Sequence, residues 1–279
     1  MTISNCPVII YCIMKLGIVG HGFVGKAVDQ GFTRDCDKFI VDPKNNNNTI
    51  AQLNASGPHA TFVCVPTPQA ESGEANTEIV EAVCQQLNEH KEHLVIIKST
   101  VPGYVLERLQ NTHKNLRMVY NPEFLTEKNY LQDFINPPMQ IFGGDKTDTE
   151  AVHRLYRDHS RCKRSPVYHT DLKTASLVKY AINSFLATKV TFFNELYDVY
   201  QSQGGKNYEQ LIRMISTDKR IGKTHMNVPG HNGERGYGGS CFPKDTAALA
   251  YYAREILGTP FTQLETSIRI NDQLRKNKS

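Results

Sequence analysis

From Lys15 to about Ile141, short runs of consecutively apolar residues alternate with stretches long enough to form a helix. Runs such as Thr61-Phe62-Val63-Cys64-Val65 and Leu94-Val95-Ile96-Ile97 carry apolar side chains at neighbouring positions. A strand with one wet face would alternate polar and apolar residues. These runs need cover on both faces, as in a parallel sheet layered between helices. Strands are predicted at 15–19, 39–41, 60–65, 94–98, 117–119 and 139–142, with helices at 22–33, 77–90 and 103–110. Beyond about Thr147 the pattern changes. Asp171 to Gln203 reads as one long helix, capped by Thr170 or Asp171 and stopped by Gly204-Gly205. Helices follow at 207–217, 243–257 and 260–277, around a loop rich in Gly, Pro and Asn at 218–240. The expectation is an α/β chain in which a doubly wound parallel sheet over 15–170 precedes an all-helical domain over 171–279, with residues 1–14 as an extension.

The sheet domain opens on a phosphate-binding pattern. Gly20-His21-Gly22-Phe23-Val24-Gly25 follows the first strand and starts the first helix. Gly20 makes the tight turn, Gly22 lets backbone approach a pyrophosphate, and Gly25 lets the helix pack on the sheet. The free N–H groups of the helix start, at Phe23 and Val24, favour phosphate there. Asp42 ends the next strand, about twenty residues on. Its carboxylate can accept hydrogen bonds from a ribose diol and would repel a 2′-phosphate, so NAD is expected over NADP, although Lys44 lies close. The bland alternative is a structural glycine turn. The βαβ context favours a Rossmann-type domain with NAD as its cofactor.

Composition narrows the remaining classes. A chain of 279 residues has room for two domains. Its net charge of +4 is spread thinly, and the densest basic group, Arg161 to Arg164, is short and contains a cysteine. That is no stripe for nucleic acid. Seven cysteines, at 6, 12, 36, 64, 84, 162 and 241, form no CxxC pair and read as reduced thiols of a cytoplasmic protein. His90 and His93 lack a third ligand nearby, so a solvated helix end is expected rather than a metal site. The apolar run from Cys6 to Met14 is too short to span a membrane and lacks the basic leader of a cleaved signal; Met14 is an alternative start.

Three pairs of polar residues stand four apart, the spacing of one helix face: Glu123 and Glu127, Lys179 and Asn183, Cys241 and Asp245. A solvated face is the usual meaning of one such pair. The second pair lies in an apolar helix (Leu177-Val178-Lys179-Tyr180-Ala181-Ile182-Asn183), where polar groups need partners and can stabilise an oxyanion. The third follows Gly236-Tyr237-Gly238-Gly239-Ser240 and precedes Pro243-Lys244. Pro243 suits a first helical turn, which puts Cys241 just before a helix N-terminus, where the dipole and Lys244 favour thiolate. The competing role of Cys241 is a small buried hydrophobe.

Gly236 to Asp245 resembles the active-site segment of UDP-glucose 6-dehydrogenases and related nucleotide-sugar dehydrogenases. Val65-Pro66-Thr67-Pro68, Lys98-Ser99-Thr100-Val101-Pro102, Asn121-Pro122-Glu123-Phe124-Leu125, Lys179 to Asn183 and Arg220-Ile221-Gly222 match the same family in the same order. The resemblance implies oxidation of a primary alcohol to a carboxylate by two hydride transfers to two NAD. Cys241 would form a thiohemiacetal and then a thioester; Lys179 and Asn183 would stabilise oxyanions. Asp245, Thr100 and Glu127 would hold and activate water. Glu123, Phe124, Leu125, Arg220, Tyr237 and Gly238 would contact the UDP-sugar. Val65, Pro66, Thr67, Ser99, Thr100 and Lys244 would join the glycine loop around NAD. Phe242 after the cysteine is similar to the UDP-glucose branch.

The chain departs from the family at several places. Asn76 replaces a usual aspartate, and Met139-Gln140 stands where an arginine is common. The loop before Gly236 is extended by His231-Asn232-Gly233-Glu234-Arg235. The chain also ends before the second Rossmann-like domain that grips UDP in full members; three readings stand for this, a naturally short protein, a piece of a longer one, or half of a two-chain enzyme. By the same resemblance, residues 243–277 would pair two copies into a homodimer. Two other readings stay open: a single-step β-hydroxyacid dehydrogenase, and a non-catalytic NAD-binding subunit.

Overall fold

The computed structural model describes residues 13–89 and 93–276. They fall into two compact units: the chain up to Thr67 with Thr77–Ser176, and Pro68–Asn76 with the chain from Leu177 on. His90 and most of the Cys6–Met14 run lie outside the described residues.

The first unit is built on one sheet. Its strands are β1 (Met14–Val19), β2 (Cys36–Val41), β3 (Ala60–Val63), β4 (His93–Ile97), β5 (Leu116–Tyr120), β6 (Gln140–Gly144) and β7 (Val167–Thr170). They lie in the order β2-β1-β3-β4-β5-β6-β7, with every neighbouring pair parallel except β5 and β6. The helices are α1 (Phe23–Gly31), α2 (Ile50–Ala55), α3 (Glu78–Leu87), α4 (Gly103–Thr112), α5 (Tyr130–Ile135) and α6 (Lys146–His159). The expected α/β class and parallel sheet are present. The order reverses between β1 and β3, which opens a crevice at the carboxyl ends of those strands. Beneath it, Phe32, Phe62, Phe134, Phe142 and Tyr156 form a buried aromatic cluster. Gly31 is required there, because a Cβ would stand 2.0 Å from the Phe134 ring.

Four details differ from the sequence expectation. Strand β7 and helices α2, α5 and α6 were not anticipated. β7 (Val-Tyr-His-Thr) is a half-exposed edge strand without an apolar run. α2 is short, but its capping box between Thr49 and Gln52 was visible as a Thr-x-x-Gln pattern. His93 is not on a solvated helix end: it is 2% exposed within β4 and hydrogen-bonded to Thr61 at 2.8 Å. Glu123 and Glu127 do not share a helix face, since residues 121–126 form neither helix nor strand and Glu127 only begins a 3₁₀ turn.

The second unit is helical. Helix α7 (Leu172–Ser202) runs through the boundary, followed by α8 (Tyr208–Ile215), α9 (Phe242–Tyr251) and α10 (Thr262–Lys276). Asp171 starts α7 by accepting the Thr174 N–H at 2.8 Å. The helix expected over 243–257 is α only to Tyr251; a π-turn at Tyr252–Ile256 then lets Leu257 N–H reach the Tyr252 carbonyl. Tyr180 of α7, Ala248 to Ala250 of α9 and Leu264 of α10 form its central core, with Ala75 of the Pro68–Asn76 segment packed on it.

Candidate functional site

In the first unit the glycine loop stands at the β1/β3 crevice. Gly20 has φ +89°, and a Cβ there would lie 2.7 Å from the Cys64 carbonyl oxygen, so this turn closes only on glycine. Gly25 lies against Gly20 itself, its notional Cβ 2.0 Å from the Gly20 oxygen. Gly22 is the N-cap of α1 and faces open space, leaving the N–H groups of Phe23 and Val24 at a bare helix start. Asp42, just past β2, accepts the His21 N–H at 2.5 Å and the Lys44 N–H at 2.8 Å. Burial pushes its carboxyl up, but those two N–H donors outweigh it and hold it below the usual carboxylate range. Val65, Thr67, Ser99 and Thr100 are buried beyond the ends of β3 and β4, with Ser99 Oγ donating to the Val65 carbonyl at 2.7 Å; Pro66 is exposed. A glycine cradle open only at Gly22, with an acid at the second strand, fits a dinucleotide.

The Asn121–Leu125 segment leaves β5 on the same carboxyl side. Glu123 is buried and accepts the Leu125 N–H at 2.6 Å, whereas Glu127 is exposed. Glu123, Phe124 and Leu125 line an open pocket with Lys98, Pro138 and Gln140. Its floor is a network that motif reading passed over. Buried Lys98 donates to Asn121 Oδ1 at 2.8 Å, Tyr156 Oη donates to the same oxygen at 2.7 Å, and Asn121 Nδ2 donates to the Ile141 carbonyl. Lys98 and Asn121 are polar positions in otherwise apolar strand ends, which was the available signal.

In the second unit, Cys241 is the N-cap residue of α9, with Pro243 in the first turn. It is half-buried, and its Sγ lies 3.7 Å from Ser240 Oγ. One turn on, Asp245 is 1% exposed. Its Oδ2 accepts from Asn183 Nδ2 at 2.6 Å and its Oδ1 from Lys244 Nζ at 2.6 Å. Lys244 is thus directed to Asp245. Lys179, one turn before Asn183 on α7, is 3% exposed. The structure therefore gathers Asn183, Asp245 and Lys244 by direct bonds and sets Cys241 one helical turn from them. By contrast, burial pushes the Cys64 and Cys84 thiols up to about 12. Tyr237 is buried, and Gly238 lies against the Arg275 guanidinium. Arg220 is exposed on a turn and paired with Asp218 two residues back, away from any of these groups in its own contacts.

Comparison with known proteins agrees with this geometry. Residues 46–160 match the NAD binding domain of the UDP-glucose/GDP-mannose dehydrogenase family, and residues 173–273 match that family's central domain. A UDP-glucose 6-dehydrogenase of Rickettsia felis is 38% identical over 196 residues, covering 68% of this chain and 42% of that protein. The chain thus spans less than half the length of that relative. A UDP-glucose dehydrogenase structure from Pyrobaculum islandicum superposes with TM-score 0.77 at 28% identity, covering 94% of this chain and 68% of that one. The 3-hydroxyisobutyrate dehydrogenase of Mycobacterium tuberculosis, 14% identical, shares the fold at TM-score 0.71 over 95% of each chain. Among the described residues no helix is long and apolar enough to cross a membrane. Through both its NAD binding and its central domain, the chain belongs to the UDP-glucose/GDP-mannose dehydrogenase family.

Proposed function

We propose that this chain is the NAD-binding and catalytic part of a UDP-glucose 6-dehydrogenase, with Cys241 as its covalent nucleophile. The observation that carries the reading is the thiol at the start of α9, one turn from a buried Asp245 bonded to Asn183. Bound NAD supplies the hydride acceptor for each of two oxidations. The glycine loop and Asp42 hold it by pyrophosphate and ribose. Cys241 Sγ adds to the C6 aldehyde carbon, and Lys179 and Asn183 donate to the oxygen that becomes anionic. Asn183 keeps a second amide N–H for this while the first holds Asp245. Asp245 then takes a proton from the water that cleaves the thioester, which frees the carboxylate and returns the thiol. Thr100, Glu123 and Glu127 keep the roles that the resemblance implies, in water activation and sugar binding.

The stoichiometry of the reaction tests this. With excess NAD, two NADH are expected for each UDP-glucose consumed. One NADH per substrate would favour a single-step dehydrogenase. NAD binding with no turnover of any UDP-sugar would favour a non-catalytic subunit. The chain spans less than half of that relative's length, so the whole enzyme's activity is itself part of the proposal.

We propose that the homodimer seam lies on α7, in place of the 243–277 segment that the resemblance implies. Leu177, Phe185, Phe192 and Val199 are all more than half exposed and follow one another at intervals of eight, seven and seven. That spacing is a coiled-coil-like stripe on one helix face. The 243–277 segment exposes only Ile256, Leu257 and Phe261 among its large apolar residues, all near one turn. Light scattering should give twice the chain mass of 31.5 kDa. Phe185→Asp with Phe192→Asp should give the single mass, and a dimer surviving both changes would place the seam elsewhere.

A further inference from the structure

We infer that the extended stretch ending in Glu234 and Arg235, together with Asn194 and Asn271, is a clamp that positions the backbone leading to Cys241. The inference rests on the nucleophile role proposed above. From Ser216 to Cys241 the chain forms neither helix nor strand. A loop of that length wanders unless side chains hold it. The first half of this loop is held at Ile221 by Lys189 and at Met226 by Tyr208; nearer Cys241 the hold falls on four consecutive residues, 234–237.

Glu234 pairs with Arg275 of α10. Arg235 Nη2 donates to the Asn194 carbonyl at 2.9 Å and pairs with Asp198 at 2.8 Å, both on α7, and its guanidinium stands 5.7 Å from the Tyr197 ring centroid. Asn194 Oδ1 accepts the Gly236 N–H and Arg235 Nε, each at 3.2 Å. Asn271 Oδ1 accepts the Tyr237 N–H at 2.6 Å. Asn194, Tyr237 and Asn271 are all buried. Two backbone donors of the loop, the part-buried Gly236 N–H and the buried Tyr237 N–H, thus find acceptors on two different helices. The Tyr237 N–H would otherwise be desolvated and unpaired.

The amide of Asn194 has its direction fixed. Its Nδ2 donates to the Val190 carbonyl at 2.9 Å, so the oxygen must face the loop. Gly236 completes the closure: φ is +72°, and a Cβ there would lie 2.5 Å from Asn271 Oδ1. Beyond the clamp come Gly238 and Gly239, which have no side chain with which to anchor themselves. Cys241 is therefore placed from one side by the clamp and from the other by the start of α9. Glu234 and Arg235 lie in the extended stretch just before Gly236.

The test uses the full chain with three variants, Asn271→Ala, Asn271→Asp and Arg235→Gln. The rate of Cys241 alkylation by iodoacetamide is read on its own peptide by mass spectrometry, beside kcat and KM. Asn271→Ala should lower kcat by about ten- to a hundredfold while leaving the KM for NAD nearly unchanged. Alkylation should rise about threefold as the loop loosens, parent and variants being compared at one pH. Asn271→Asp keeps the acceptor oxygen and should return both readouts to within about twofold of the parent. Arg235→Gln should show the same signature at smaller size, and it serves should the alanine variant not fold. Unchanged alkylation and kcat in Asn271→Ala and Arg235→Gln would overturn the clamp, as would an aspartate variant that behaves like the alanine one. If the parent forms no NADH but its alkylation still responds, the clamp stands and the dehydrogenase reading falls.

Discussion

Cys241→Ala is expected to cut NADH formation from UDP-glucose by about a thousandfold or more, with NAD affinity and melting temperature close to those of the parent. The chemistry sets the size of the loss. Without the thiol no thiohemiacetal forms, so the second oxidation has no covalent intermediate to act on. The structure sets the small stability cost. Cys241 is half-buried at a helix start, makes no side-chain cap to α9, and touches Ser240 at 3.7 Å. Alanine removes little packing there. Asp245 and Asn183 keep their mutual bond because neither depends on Sγ. Steady-state rates and calorimetry with NAD read the two halves separately. Turnover within about tenfold of the parent would rule out a thioester and move the mechanism to a single hydride step.

The parts that were legible in the sequence share a cause. The parallel strands must be apolar on both faces, so β1, β3 and β4 appear as unbroken runs, and the glycine loop appears as a pattern because close backbone approach at Gly20 and Gly25 leaves no room for a side chain. The start of helix α9 was placed to within a residue by Pro243, whose fixed φ suits a first turn. What failed was inference from spacing without context. Glu123 and Glu127 are four apart, but Asn121 precedes a proline and its side chain is spent on Lys98, Tyr156 and the Ile141 carbonyl, so no helix forms there. His93 looked solvated beside His90, yet it lies in a buried strand with Thr61 as its partner. The roles of Asn194 and Asn271 could not be read at all. Each acts on a backbone N–H more than thirty residues away, a relation no local pattern encodes.

The glycine loop supports a paired experiment in which two neighbouring substitutions have different consequences. Gly22→Ala should fold as the parent does, since φ at Gly22 is −68° and a Cβ there would meet nothing within 4 Å. That open space is where a pyrophosphate must come against backbone, so the added methyl should weaken NAD binding at least about thirtyfold, equivalent to about 2 kcal/mol. Gly25→Ala is a different case. Its Cβ would stand 2.0 Å from the Gly20 oxygen, which is backbone and cannot rotate aside. The turn and α1 must separate, at a cost of about 3 kcal/mol, and the melting temperature should fall by roughly 6–12 °C. A destabilised domain also binds ligand less well, so affinity is compared far below both transitions, where Gly22→Ala should be the weaker binder relative to its stability. Normal NAD binding by Gly22→Ala would mean that the pyrophosphate lies elsewhere. An unchanged melting temperature for Gly25→Ala would mean that the close contact between Gly25 and Gly20 is not made in solution.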